Sequence, residues 1–390
     1  MFSNRLPPNR LANALSRRLA ALEKSGEPWV DLTESNPTRA GFEYPADLLE
    51  CLADSRALAY EPQPFGLSAA REAVAHDQSR RGACVDPSQV VLTASTSEAY
   101  GWLFKLLCNA GENVLVPRPS YPLFEHLTRL EAVEAVPYDL EYHGRWQIHV
   151  ESMAARVTGA TRAVLVVSPN NPTGSYLKRD ELDRLSRFCT DRRLALVVDE
   201  VFADYPLDAP AAVVTDVAAA SRPLAFTLGG LSKSVGLPQL KLGWIIVGGE
   251  ESVRTEALRA LELIADSYLS VSAPVQIAAA DLLSRAGVIR DGIHNRVRRN
   301  LTAIRQIATR FPAATVLACE GGWYAVVRVP SVRTEEELVL ELLDRDRVLI
   351  HPGYFFDFPH EAYAIVSLLP RPDMFADAAA RMLQLATTSL

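Results

Sequence analysis

No stretch of this chain approaches the ~18 consecutive apolar residues of a membrane-spanning helix, and its beginning lacks the apolar core of a secretory signal. Cysteine is scarce. Cys51, Cys84, Cys108, Cys189 and Cys319 are odd in number, widely spaced and without a C-x-x-C pair, so spacing suggests neither a disulfide framework nor a zinc site. A reducing, cytoplasmic location is the expectation. Basic runs are missing too: with a net charge of -7 and a pI of about 5.6, the chain has no electrostatic footprint for nucleic acid or an acidic membrane. Arg5, Arg10, Arg17 and Arg18 precede the first acidic residue, Glu23, much as in a transit segment. The helical spacing of Leu11, Leu15, Leu19 and Leu22 reads better as a helix packed on its own domain.

What is present is ordinary globular material. Apolar residues make up 48% and charged residues 22% of 390 positions, enough for a large core and about two or three domains. From Val90 the pattern alternates: strand 90–93, helix 96–107, strand 113–116, helix 123–130, strand 163–167, helix 179–191, strand 194–198. Continuous apolar strands between helices imply an α/β fold, a three-layer αβα domain around a mainly parallel sheet. After Trp244 the pattern turns helical, over 251–266 and 274–311 with a break at 284–287. Short strands (314–318, 323–329, 348–350) then alternate with helices at 334–343 and 374–386. This second part reads as a smaller α+β domain. The expected division is a large domain over 46–270 and a small one built from 1–45 and 271–390.

In such sheets ligands sit beyond the carboxyl ends of the strands, and the residues there are informative. Lys233 lies in Leu231-Ser-Lys-Ser234, between the buried-strand patterns 224–228 and 242–247. Burial would lower its pKa and make the amine nucleophilic. Asp199 closes strand 194–198, where a carboxylate needs a partner. Asn171 stands in Ser168-Pro-Asn-Asn-Pro-Thr-Gly174, Tyr121 in the stiff Pro117-Arg-Pro-Ser-Tyr-Pro122, and Ser95 with Glu98 makes a capping-box spacing at a helix start suited to a phosphate. Asn36 and Arg39 sit in a turn-rich segment, 34–41, able to line a pocket. Amine, carboxylate, amide, aromatic ring and phosphate cradle together match what pyridoxal phosphate requires.

Ser35-Asn-Pro37, Tyr60 with Gly66, Pro-Ser-Tyr-Pro, Asn-Asn-Pro-Thr-Gly, Asp199-Glu-Val-Phe202 and Leu-Ser-Lys-Ser, in this order over nearly the whole chain, resemble the class I/II aminotransferases of PLP fold type I. The resemblance implies that Lys233 forms the imine and acts as general base, that Asp199 holds the pyridinium and that Asn171 donates to the phenolic oxygen. Tyr121 would stack on the ring with Val201 on its other face. Ser95 and Thr96 amides, helped by Ser232 and Lys241, would hold the phosphate, and Tyr60 would reach the phosphate of a second subunit in a homodimer. Ser35, Asn36, Arg39 and Asn171 would meet the substrates, an amino donor and an oxo-acid acceptor. With Phe202 also on the cofactor, the expected activity is ping-pong transamination. A lyase, decarboxylase or amine transaminase is the alternative, and a non-catalytic PLP-binding regulator a distant one.

Four positions depart from the family pattern. Lys241 stands where an arginine is usual and loses its bidentate fork, Gly230 replaces a serine, and both predict weaker cofactor retention. Phe202 replaces a tyrosine and cannot donate to the phenolic oxygen. Ile365 falls where an arginine usually clamps the substrate carboxylate, which leaves Arg39, then Arg371 and Arg118, as candidates. The segment 267–270, near where dicarboxylate-specific relatives present an arginine, has none.

Overall fold

The computed structural model describes residues 3–7, 13–208, 210 and 212–388. Its first helix, Ala14–Ser25, starts where the Asn13 side chain accepts from the Ser16 amide, and ends at Gly26, whose φ of 70° is easiest for glycine. Leu15 and Leu22 are buried by it; Arg10 and Leu11 lie outside the described residues. A short strand follows, β1 (Val30–Asp31). The main sheet comprises β2 (Val90–Thr93), β3 (Asn113–Arg118), β4 (Glu134–Tyr142), β5 (Trp146–Ile148), β6 (Thr161–Val167), β7 (Ala195–Asp199), β8 (Ala225–Gly230) and β9 (Gly243–Gly248). Five more strands close the chain: β10 (Thr315–Val316), β11 (Tyr324–Arg328), β12 (Val348–Leu349), β13 (His351–Pro352) and β14 (Tyr363–Ser367).

The main sheet runs in the order β2-β9-β8-β7-β6-β3-β4-β5. Only β9 and the edge strand β5 run against the rest. Side chains alternate between its two covered faces: Val164, Val166, Leu196 and Val198 join one core, while Ala163, Leu165, Ala195 and Val197 join another. Strands buried on both sides must be apolar throughout, which is why they read as continuous runs rather than alternating ones. The hairpin of β4 and β5 is absent from the sequence reading, because Glu134, Asp139 and Glu141 break the apolar run of a strand that is only partly buried.

The later strands form a separate antiparallel sheet, β10-β11-β14-β13, and β1 pairs in parallel with β12, tying the N-terminal segment to the last third of the chain. The helices Ala273–Ser284 and Gly287–Ala308 are separated where the sequence pattern breaks. Strands β2, β3, β6, β7 and β8 point the same way, so Ser95, Tyr121, Asn171, Asp199 and Lys233 gather at one edge of the sheet. At that edge β8 and β9 approach closely. A Cβ on Gly229 would sit 2.4 Å from the Trp244 indole nitrogen, and one on Gly230 would lie 3.1 Å from the Gly243 Cα.

Candidate active site

Beyond this edge lies a cavity of about 210 Å³ whose walls include Lys233, Asp199, Asn171 and Tyr121. Ser95 and Thr96 line it from the start of helix Thr96–Leu107, Gly230 from the end of β8, Ser232 from the turn of helix that follows, Val201 and Phe202 from beyond β7, and Ser35 from the N-terminal segment. Eleven of the residues singled out in the sequence therefore share one space.

Lys233 lies on a one-turn helix, Leu231–Ser234. Its Nζ donates to the Ser35 carbonyl at 3.3 Å and sits 5.0 Å from the centre of the Trp323 ring and 5.7 Å from that of Phe202. Burial pushes the amine down from 10.5 to about 8, although Glu34 and Asp199 pull it back up. A good fraction is thus neutral and nucleophilic near physiological pH.

Asp199 is held from two sides. Its Oδ1 accepts from the Val201 amide at 3.0 Å and its Oδ2 from the Tyr100 hydroxyl at 3.0 Å. Burial raises its pKa to about 6, and these donors and Lys233 work against that. Tyr100, also in the cavity wall, is fully inside the core, and burial followed by the Asp199 charge pushes its own pKa up. Sequence reasoning missed Tyr100 because it sits mid-helix in an apolar face, with the spacing of any core residue. It missed Tyr324 for a similar reason. This residue opens β11, is 7% exposed and lines the cavity, and burial, partly offset by its hydrogen bond with Ser35, raises its pKa.

The helix start behaves as a cap with one change. Ser95 Oγ accepts from the Glu98 amide at 3.2 Å, but the Glu98 carboxylate takes the Ala94 amide at 2.6 Å and the Ser270 hydroxyl at 2.7 Å. The reciprocal bond thus falls one residue earlier than the capping-box spacing implies.

Four residues expected to hold cofactor or substrate do not line this cavity: Asn36, Arg39, Tyr60 and Lys241. The Asn36 side chain accepts from the Thr38 amide at 3.0 Å and the Thr38 hydroxyl at 2.8 Å, closing its own turn. Arg39 is exposed, Tyr60 is 79% exposed, and Lys241 is exposed with a φ of 55°. Arg118 is paired with Asp139 and Arg371 with Asp373 at 3.4 Å. Ile365 is fully buried in β14, opposite Val326 and His351, so it offers the cavity no charge. Lys233 is the cavity's single cationic side chain and Asp199 its single carboxylate.

A buried amine, a carboxylate held by neutral donors and a helix start around one cavity, at the edge of a mainly parallel sheet, define a PLP-dependent enzyme of fold type I. The chain belongs to the class I and II aminotransferase family, whose model matches residues 27–363. It is 26% identical over 370 residues to a glutamate-pyruvate aminotransferase of Haemophilus influenzae, covering 93% of this chain and 91% of that one. It is 28% identical over 364 residues to an alanine aminotransferase of Mycobacterium tuberculosis, covering 90% and 84%. An aminotransferase from Escherichia coli superposes with a TM-score of 0.86 at 23% identity, covering 100% of this chain and 98% of that one. The Pyrococcus furiosus alanine aminotransferase also gives 0.86, at 22% identity and 98% and 99% coverage.

This protein is a PLP-dependent transaminase. Its residues fit the cofactor: the buried Asn171 Oδ1 has no hydrogen-bond partner among the described residues, and the Asp199 carboxylate is buried without a contacting cation. A protonated ring nitrogen would pair with this carboxylate.

Proposed function

We propose that the protein moves an amino group between an amino acid and a 2-oxo acid by a ping-pong route, with Lys233 as the cofactor-bearing lysine. The observation that carries this is the buried, partly neutral Lys233 facing Asp199 across one small cavity. Bound there, pyridoxal phosphate supplies an electron sink at the substrate carbon. Lys233 then holds and returns the migrating proton at Nζ, its lowered pKa matching the task. Asp199 stays ionised opposite a positive ring, whose charge offsets the burial that raises its pKa. Tyr121 offers a ring face and Val201 the opposite wall. The amides at the start of helix Thr96–Leu107 suit a phosphate, with Ser95 and Ser232 hydroxyls beside them.

Asn171, Ser35 and Tyr324 are the neutral donors available to an oxo acid or a carboxylate, and Arg39, four residues after the cavity-lining Ser35, has no acidic partner among the described residues. Residues 46–270 form the large domain, and 1–45 with 271–390 the small one, a division supported by the two separate sheets and by β1 pairing with β12. A homodimer is supported by the exposed Tyr60 and Leu58 (91%), which line a groove of about 360 Å³, and by the exposed Leu263 (73%) and Tyr268 (49%). Among the described residues no helix is long and apolar enough to cross a membrane.

The buried Ile365 favours a second reading, an amine transaminase whose donor lacks a clamped carboxylate. A panel of L-amino acids and simple primary amines, assayed with pyruvate and 2-oxoglutarate, separates the two. The main reading expects amino acids, alanine and glutamate among them, to give the highest kcat/KM. Turnover of amines alone would replace it with the second.

A further inference from the structure

A helix of one turn cannot satisfy its own last carbonyls, and Leu231–Ser234, which carries Lys233, is such a helix. Its last two carbonyls, of Lys233 and Ser234, are instead met by side chains from distant elements. The Tyr205 hydroxyl, fully buried, donates to the Lys233 carbonyl at 2.7 Å and lies 3.1 Å from the Ser234 carbonyl. Arg290, 6% exposed on helix Gly287–Ala308, donates through Nε to the Ser234 carbonyl at 3.1 Å. The Tyr44 hydroxyl donates to the Gly236 carbonyl at 2.7 Å.

Arg290 is itself locked. Its Nη2 donates to Asp77 Oδ1 at 2.7 Å, and Asp204 Oδ2 lies 3.9 Å from its Nε. Arg80 in turn contacts both aspartates. A planar guanidinium with one edge on a buried carboxylate and the other on a carbonyl has little freedom to shift. None of these groups lines the cavity, so burying them there answers no need of substrate or cofactor contact.

We propose that Tyr205 and Arg290 are positioning residues for Lys233: by holding the carbonyls at the end of its one-turn helix they fix where its amine stands. The inference rests on the reading of Lys233 as the cofactor-bearing lysine. Misplacing a reacting group by about 1 Å costs on the order of 100-fold in rate, so the hold is worth measuring in kcat rather than in binding.

The test uses the holoenzyme and two variants. Tyr205→Phe removes one hydroxyl and keeps the ring packed against Trp323; Arg290→Lys keeps the charge and loses the fork. A third, Ile304→Ala, deletes a fully buried side chain about four turns further along the Arg290 helix and serves as the control for lost stability. In the first two, kcat is expected to fall roughly 10- to 100-fold with KM changed less than about threefold. The pH midpoint of the bound cofactor's absorbance is expected to move by about half a pH unit or more. Ile304→Ala lowers Tm and moves neither. If Tyr205→Phe and Arg290→Lys behave like Ile304→Ala, the proposal is wrong. Borohydride reduction and peptide mapping of the unaltered protein separate this from failure of its premise: a tag on Lys233 with unaffected variants sinks only the positioning role, and a tag elsewhere sinks the reading of Lys233.

Discussion

Replacing Asp199 by asparagine should trade activity for stability in a way that pH reveals. In the cofactor-free protein Asp199 has a pKa raised from 3.8 to about 6, chiefly by burial. The folded state therefore holds this proton more tightly than the unfolded chain does. The stability that follows is fully present below about pH 3.8 and is lost as pH rises through 6. The difference amounts to about 3 kcal/mol at neutral pH, or roughly 4 °C of Tm for a chain of this length. Other carboxylates titrate in the same window, so the comparison that isolates Asp199 is the change in Tm between pH 4 and 7 in the cofactor-free wild type minus that in Asp199→Asn. It should show the wild type losing about 4 °C more. Added pyridoxal phosphate should recover more for the wild type than for the variant, whose amide cannot pair with a positive ring. Turnover of the variant should drop by at least about 100-fold, because the neutral amide cannot sustain the electron sink. Equal pH profiles for the two proteins would refute the reasoning that Asp199 is a destabilised carboxylate awaiting a cation.

Other outcomes test the surroundings. Lys178, 1% exposed, pairs with Glu320 at 2.7 Å, and Glu320 also accepts the Tyr176 amide at 2.8 Å. Lys178→Met leaves a buried, uncompensated carboxylate and should cost about 3–5 kcal/mol, a Tm drop of roughly 4–6 °C, whereas Glu320→Gln, which can still accept both bonds, should cost less; calorimetry showing the reverse order would contradict this. Phe202→Tyr places a donor in the cavity wall, so the pH midpoint of the bound cofactor's absorbance should fall by about one pH unit; an unchanged titration would mean the ring edge faces elsewhere. Lys241→Arg should slow cofactor loss on dialysis by a few-fold, while Gly230→Ser should not, since its Cβ would crowd the Leu242 carbonyl and the Gly243 Cα at 3.1 Å; faster loss from Lys241→Arg would remove the phosphate role of this position.

Much of the fold was legible because both-face burial leaves an unmistakable apolar signature. Helices Thr96–Leu107, Leu123–Leu130 and Glu251–Asp266 begin and end where periodicity places them. The hairpin of β4 and β5 was not, because an edge strand half open to solvent carries charges that resemble a loop. At the site, Lys233, Asp199 and Asn171 announce themselves as polar residues at or shortly beyond the ends of buried strands. Tyr100, Tyr205 and Arg290 do not, since each bonds to a partner remote in sequence: Tyr100 to Asp199, Tyr205 to the Lys233 carbonyl and Arg290 to the Ser234 carbonyl. The exposure of Arg39 and Lys241 was equally invisible, because a spacing match says nothing of where a long side chain ends.

The central claim is that this site transfers an amino group rather than breaking another bond of the amino acid. Mixing the holoenzyme with L-alanine or L-glutamate and no acceptor tests it most directly. Transamination should release one equivalent of the 2-oxo acid per active site, with the absorbance band lost until an oxo acid is added, and Lys233→Ala should abolish the change. Release of carbon dioxide or ammonia with the band restored unaided would contradict it.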